Sequence, residues 1–350
     1  MRYFNDSSPD RSAFTLVEIL VTIMILSILS SLVLFAMTGA LESAKKQQTK
    51  SRIAKLDREI SRMWNGYLSR RVPILLDQNE LTASSPSDPR IAPIRNQIQA
   101  ANPQFSTSQV VSHTAATLRL IAIRDLMRLE LPDRISDVLD PPWSDFNNDD
   151  NDPSNLDLAE LDRPVASRAY LDVANSVKNP QQDPNDPNDP NKWTSQHQGA
   201  ECLYMIVQQN VGTGRHARSF INEKEVGDVD GDKMPEFLDA WGKPIEFLRW
   251  APGLISTKQD HDLNNPDPFD VRNVQDGTYF LYPFVFSAGP DREYDVTTDG
   301  TTPFRYRTTT PPFDPYVEFN SMQLGADVDQ SNDSRVDNID NIHNHLLETR

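Results

Sequence analysis

A single cysteine, Cys202, stands among 350 residues, so no intramolecular disulfide staples the fold. Its setting in the apolar run GAECLYMIVQQN (199–210), a short buried helix or strand, marks it as a small core residue. Basic residues are scarce: 34 Lys and Arg face 51 Asp and Glu, a net charge of −17. A surface of that sign repels phosphate, which excludes nucleic acid as a partner, and it attracts divalent cations. Glycine is half as frequent as proline, 13 against 26, which favours rigid turns over flexible linkers. No Gly-x-Ser-x-Gly elbow, His-Glu-x-x-His pair, phosphate loop or dinucleotide fingerprint occurs. The exposed carboxylates are too many for one to stand out as a general acid, so the chain reads as a non-enzyme.

What is present is concentrated at the start. Residues 19–41 hold no charge, and 23 residues of helix span roughly 35 Å, enough to cross a bilayer core of about 30 Å. A cleavable secretory signal has a much shorter apolar region, so a membrane helix is expected. Within RSAFTLVEILVTIMILSILSS (11–31), Glu18 brings a carboxylate to the edge of this run. Either it marks the first helical turn, where it suits the helix dipole, or it has a charged partner.

The helix is expected to continue. Ile53, Leu56, Ile60, Met63, Trp64 and Tyr67 form one helical stripe, with Lys and Arg opposite, and Pro73 follows the end. Residues 77–113 read as a polar stretch, and 115–131 as a second amphipathic helix ended by Pro132. Two low-complexity acidic segments follow at 145–155 and 183–191, and the second, an Asp-Pro-Asn repeat, reads as exposed loop or disordered linker. Strand-like runs appear only late, at 244–250, 278–289 and 315–322. The expected fold is therefore α+β: a long N-terminal helix packed on a small C-terminal antiparallel sheet, with a helical, loop-rich insertion. Its expected divisions are 14–41 (membrane half of the helix), 42–72 (amphipathic half), 73–225 (insertion) and 226–350 (β-rich domain).

The stretch Ala13-Phe14-Thr15-Leu16-Val17-Glu18 and the apolar run after it resemble the N-terminus of type IV prepilins and type II secretion pseudopilins. That resemblance implies a leader at 1–13, cleavage by prepilin peptidase after Ala13 (where the family usually has Gly) and methylation of the new terminus, Phe14. It also implies a role for Glu18 in assembly: pairing with the Phe14 amine of a neighbouring subunit. LDAWGKPIEFLRWAPG (238–253) and FVFSAGPDREYDV (284–296) are similar to turns in the soluble domain of the major pseudopilin. The positions carried over are Asp239, Trp241, Gly242, Pro244, Ser287, Gly289 and Asp291. The implied partners are other pilin-like subunits, prepilin peptidase and an inner-membrane assembly platform. The implied location is the inner membrane, single-pass, with the C-terminal domain in the periplasm. Seven basic residues between 42 and 62 against two before the span point the other way, but large domains translocate regardless of such charge.

DVDGDKMPEFLD (228–239) is similar to a Ca²⁺ loop of the EF-hand type, with Asp228, Asp230, Asp232, Glu236 and Asp239 as hard oxygen ligands. Its glycine sits at the fourth position, as in the DxDGD loops of exported bacterial proteins. His343 and His345 form a His-x-His pair that could also meet a metal. The alternative to a filament subunit is a single-pass, membrane-anchored, Ca²⁺-dependent exported binding module.

Overall fold

The computed structural model describes residues 15–72, 78–83, 86, 88, 90–140, 142, 163–177, 193–212, 222–298, 313–316, 323–328 and 340–347. Ala13, Phe14, the acidic segments 145–155 and 183–191, and residues 317–322 of the third expected strand lie outside them. The chain divides into two compact units, Met1–Gln47 and Gln48–Arg350.

Helix α1 runs Leu16–Tyr67, 52 residues without a break, as the uninterrupted periodicity requires. Within the first unit every residue from Thr15 to Leu41 is exposed, including Phe35 at 80% and Leu34 at 65%. Thr22, Ser27, Ser31 and Thr38 each donate a hydroxyl to a carbonyl three or four residues back, at 2.7–2.8 Å. Hydroxyls folded back onto the helix in this way suit a lipid environment. Among the described residues, this is the one helix long and apolar enough to cross a membrane.

In the second unit, the continuation of α1 buries Thr49, Ile53, Leu56, Ile60, Trp64 and Tyr67. The stripe is the expected one with Thr49 added and Met63 only half-buried. It is held through loops that flank the sheet. Thr49 Oγ1 accepts from Ala240 N at 3.1 Å, and Arg52 donates to Leu238 O at 2.7 Å and pairs with Glu225 at 3.0 Å. Arg52 thus ties the helix to the chain on either side of residues 226–237.

The expected polar stretch 77–113 contains helices: α2 (Gln78–Thr82), α3 (Ile91–Ala101) and the start of α4 (Thr107–Glu130). α3 anchors on Ile91 and Ile94, two apolar residues one turn apart, too few to register as a pattern. α4 begins eight residues before the expected 115 because Ser106 and Gln109 close a capping box. The short α5 (Ile135–Leu139), then α6 (Val165–Val177) and α7 (Gln198–Gly212), follow. α7 packs on strands of the C-terminal region and carries the fully buried Cys202.

The strands are short. β1 (Val226–Gly227) and β2 (Glu236–Phe237) form an antiparallel pair. A second sheet, order β3-β4-β5, joins Glu246–Leu248, Phe284–Ser287 and Ile342–His343, with Phe247 opposite Val285 and Phe286 opposite His343. Of the expected strand 278–289 only 284–287 enters the ladder. Tyr279 and Leu281 are buried without it, and residues 315–316 form a turn. The α+β class is the one the sequence led to.

Candidate functional site

Thr15 ends the apolar helix with a reciprocal cap. Its carbonyl accepts the first helical bond from Ile19 N at 3.2 Å, and its Oγ1 accepts from Glu18 N at 3.3 Å. Glu18 Oε2 reaches back to Thr15 N and Oγ1, each at 2.8 Å. This is a Thr-x-x-Glu capping box, and it gives Glu18 partners within its own chain. The carboxylate is exposed at the helix start, where the dipole favours it.

The two stretches matched separately in the sequence meet in space. Asp239 Oδ1 accepts from Trp241 N at 2.8 Å and Lys243 N at 2.9 Å, while its Oδ2 accepts from Ser287 Oγ at 2.6 Å. Gly242, at φ +84°, supplies the left-handed residue of the turn. Ile245 N then returns to Phe237 O at 2.7 Å, Pro244 O accepts from Tyr294 OH at 2.8 Å, and Trp241 is buried above the turn. Gly289 N donates to Ser287 Oγ at 3.1 Å. Asp291 lies apart from this knot, with a carboxylate oxygen within 4.8 Å of Asp295 and Asp340.

In the acidic loop between β1 and β2, Asp232 and Met234 are buried while Asp228, Val229, Gly231 and Lys233 are exposed. Asp228 Oδ1 accepts from Gly231 N at 2.7 Å and its Oδ2 from Lys233 N at 3.1 Å. Asp230 Oδ2 accepts from Thr194 Oγ1 at 2.6 Å. Asp232 accepts from Thr194 N at 2.7 Å and Met234 N at 2.8 Å, and Glu236 from Val229 N at 3.2 Å. Asp228, Asp230 and Asp232 converge within 4.8 Å, and so do Asp230, Glu236 and Glu201 of α7. Asp239, the fifth expected ligand, belongs to neither group, because its oxygens already hold the turn. Glu201 is the member that the loop sequence does not reveal. Its one signal is a lone carboxylate inside an apolar run, the kind that singles out Glu18.

Glu201 and Glu236 are fully buried and Asp232 nearly so. Burial, with Asp232 adding repulsion, pushes the Glu201 carboxyl up to about 11, and burial pushes Glu236 up to about 8.

The family model described as the prokaryotic N-terminal methylation motif matches residues 9–34. The chain carries a prepilin-type cleavage and methylation segment. That segment, of the type found in type IV pilin-like proteins, lies at the head of α1, which is long and apolar enough to cross a membrane. No curated protein and no solved structure matches the chain.

The His-x-His pair of the C-terminal region packs into the core. His345 Nδ1 meets Ser256 Oγ at 2.7 Å and its Nε2 meets Pro283 O at 3.1 Å, so both ring nitrogens are engaged. His343 lies in β5 with its ring edge-on to Phe284. Asn344 between them is fully buried. It donates to Asp57 Oδ1 of α1 at 2.7 Å and to Pro283 O at 2.9 Å, and accepts from Val285 N at 3.0 Å.

Proposed function

We propose that this protein is a structural subunit of a type II secretion pseudopilus or type IV pilus-like filament. It waits in the inner membrane with its C-terminal domain in the periplasm. Prepilin peptidase cuts after Ala13, and Phe14 becomes the methylated first residue. The observation that carries the reading is the Thr15–Glu18 capping box at the head of an apolar helix whose first 26 residues after Thr15 are all exposed. Cutting before Phe14 places an α-ammonium one residue from that cap. A neighbouring subunit's Glu18 then has a cation to meet in lipid, where each charge alone is expensive. The buried Asp239–Ser287 turn, built on the DAWGKP stretch, favours the pseudopilus over an adhesive pilus.

The test is mass spectrometry of the N-terminus of the protein extracted from membranes of a cell that has prepilin peptidase. A methylated Phe14 terminus is expected, and a chain still carrying residues before Phe14 overturns the reading. Glu18→Ala is expected to insert normally and to lose cross-linked multimers. Normal assembly of that variant would leave Glu18 as a helix cap alone.

A further inference from the structure

The geometry points to a divalent-cation site of the Ca²⁺ class, formed by Glu201 of α7 with Asp230 and Glu236 of the acidic loop, and with Asp228 and Asp232 beside it. The first ground is spacing. Carboxylate oxygens of Glu201, Asp230 and Glu236 all lie within 4.8 Å of one another, and so do those of Asp228, Asp230 and Asp232. Ligands at about 2.4 Å on opposite sides of one Ca²⁺ are separated by about 4.8 Å, so each triplet fits around a single ion.

The second ground is an orphaned atom. Glu201 is fully buried, its Oε2 accepts from the Trp193 indole N–H, and its Oε1 has no N–H or hydroxyl donor, the carboxyl's further partner being the Asp232 carboxyl, another acid. Each of the other four carboxylates has at least one backbone or hydroxyl donor. A buried acceptor without a donor is costly, and it is more so beside two further carboxylates. A cation removes both costs at once.

The donor set selects the ion. Only carboxylates converge here, with neither imidazole nor thiolate among them, which suits Ca²⁺ or Mg²⁺ over zinc or copper. Mg²⁺ requires ligands at about 2.0–2.1 Å in a near-octahedral shell, whereas Ca²⁺ accepts wider and irregular sets. The irregular spread of five carboxylates over two overlapping triplets therefore favours Ca²⁺. Bound there, the ion ties α7 to the loop that leads into β2 and the Asp239 turn. The site does not depend on filament assembly.

Trp193 supplies a local reporter, because an indole that contacts Glu201 can pass excitation to a lanthanide on the same carboxylate. The full chain in detergent micelles, stripped with chelator, is titrated with Tb³⁺ under tryptophan excitation, then with Ca²⁺ and separately with Mg²⁺. Sensitised emission is expected, displaced by Ca²⁺ well before Mg²⁺. It should weaken about tenfold or more in Glu201→Gln and in Asp230→Asn. Trp193→Phe should abolish it, and Asp291→Asn, at the other acidic cluster, should leave it unchanged. Asp230 is only half-buried, so its variant tests the site even if Glu201→Gln misfolds by circular dichroism. Equal emission in Asp230→Asn or Trp193→Phe overturns the site. So does the failure of millimolar Ca²⁺ to displace Tb³⁺, which leaves a shared proton as the neutralising group. The assay uses unassembled protein, so its failure leaves the filament reading untouched.

Discussion

Ser287 Oγ donates to Asp239 Oδ2 at 2.6 Å, across 48 residues and with both side chains buried. Asp239 fixes the turn Trp241-Gly242-Lys243 through two backbone amides, and Ser287 ends β4 and fixes Gly289. One carboxylate therefore joins the hairpin after β2 to the central strand of the second sheet. The two stretches quoted from the sequence as separate turns are halves of one device.

Ser287→Ala removes the donor and leaves a buried carboxylate oxygen short of one bond. A loss of about 1.5–3 kcal/mol is expected from thermal or urea unfolding of the full chain in detergent. Asp239→Ala should cost more, because it also frees the Trp241 and Lys243 amides. Equal stability of Ser287→Ala and the parent would mean that water replaces the hydroxyl.

Gly242 and Gly289 separate conformational strain from steric exclusion. Both have positive φ, +84° and +77°. A Cβ on Gly242 meets nothing within 4 Å, whereas one on Gly289 would lie 2.5 Å from the Asp340 carbonyl oxygen. Gly242→Ala is expected to cost about 1–2 kcal/mol, the left-handed penalty alone. Gly289→Ala adds displacement of backbone, for roughly 3 kcal/mol or more in total. The reverse order in unfolding experiments would show that the Asp340 segment yields freely.

The long helix was legible because its two signals, an uncharged run and a stripe at helical spacing, each extend over more than ten residues. The sheet was legible only in part. Strands of two to four residues leave too short an alternation to read, and Ile342–His343 sits among Asn and Asp that mask it. The ladder there is set by Asn344, whose amide bridges Asp57, Pro283 and Val285, a tertiary arrangement with no local signature. The acidic loop was visible as a pattern, but not which of its carboxylates converge. Glu201 joins them from another element, and Asp239, last in the pattern, is claimed by a turn.

Thr15→Ala removes the hydroxyl that accepts from Glu18 N and donates to its carboxylate. Loss of such a cap costs about 1 kcal/mol, felt in the first turn. Faster amide exchange at residues 16–19, with exchange beyond residue 22 unchanged, is the expected outcome in micelles. Thr15→Ser restores protection. Uniform exchange across both variants would show that the detergent interface, not the cap, holds the turn.

His343 and His345 are buried beside Phe284, and burial depresses their imidazoles to about 4 and about 3. Both rings are therefore neutral in the folded chain at pH 5.5, where an unfolded histidine, titrating near 6.5, is mostly charged. Two-bond nitrogen–proton spectra of the imidazoles should register neutral rings at that pH. The sign for stability follows from proton uptake. The unfolded chain binds the proton first, so the contribution is whole above about 6.5 and lost as pH falls toward 4. Each histidine steepens that fall by up to about 1.4 kcal/mol per pH unit. Other buried carboxyls titrate in the same range, so the difference between parent and His345→Gln isolates the effect. The variant is less stable at pH 7, having lost the bonds to Ser256 and Pro283, and the gap should narrow as the pH is lowered to 4.5. A gap that stays constant across this range would mean that the His345 ring takes up its proton without unfolding.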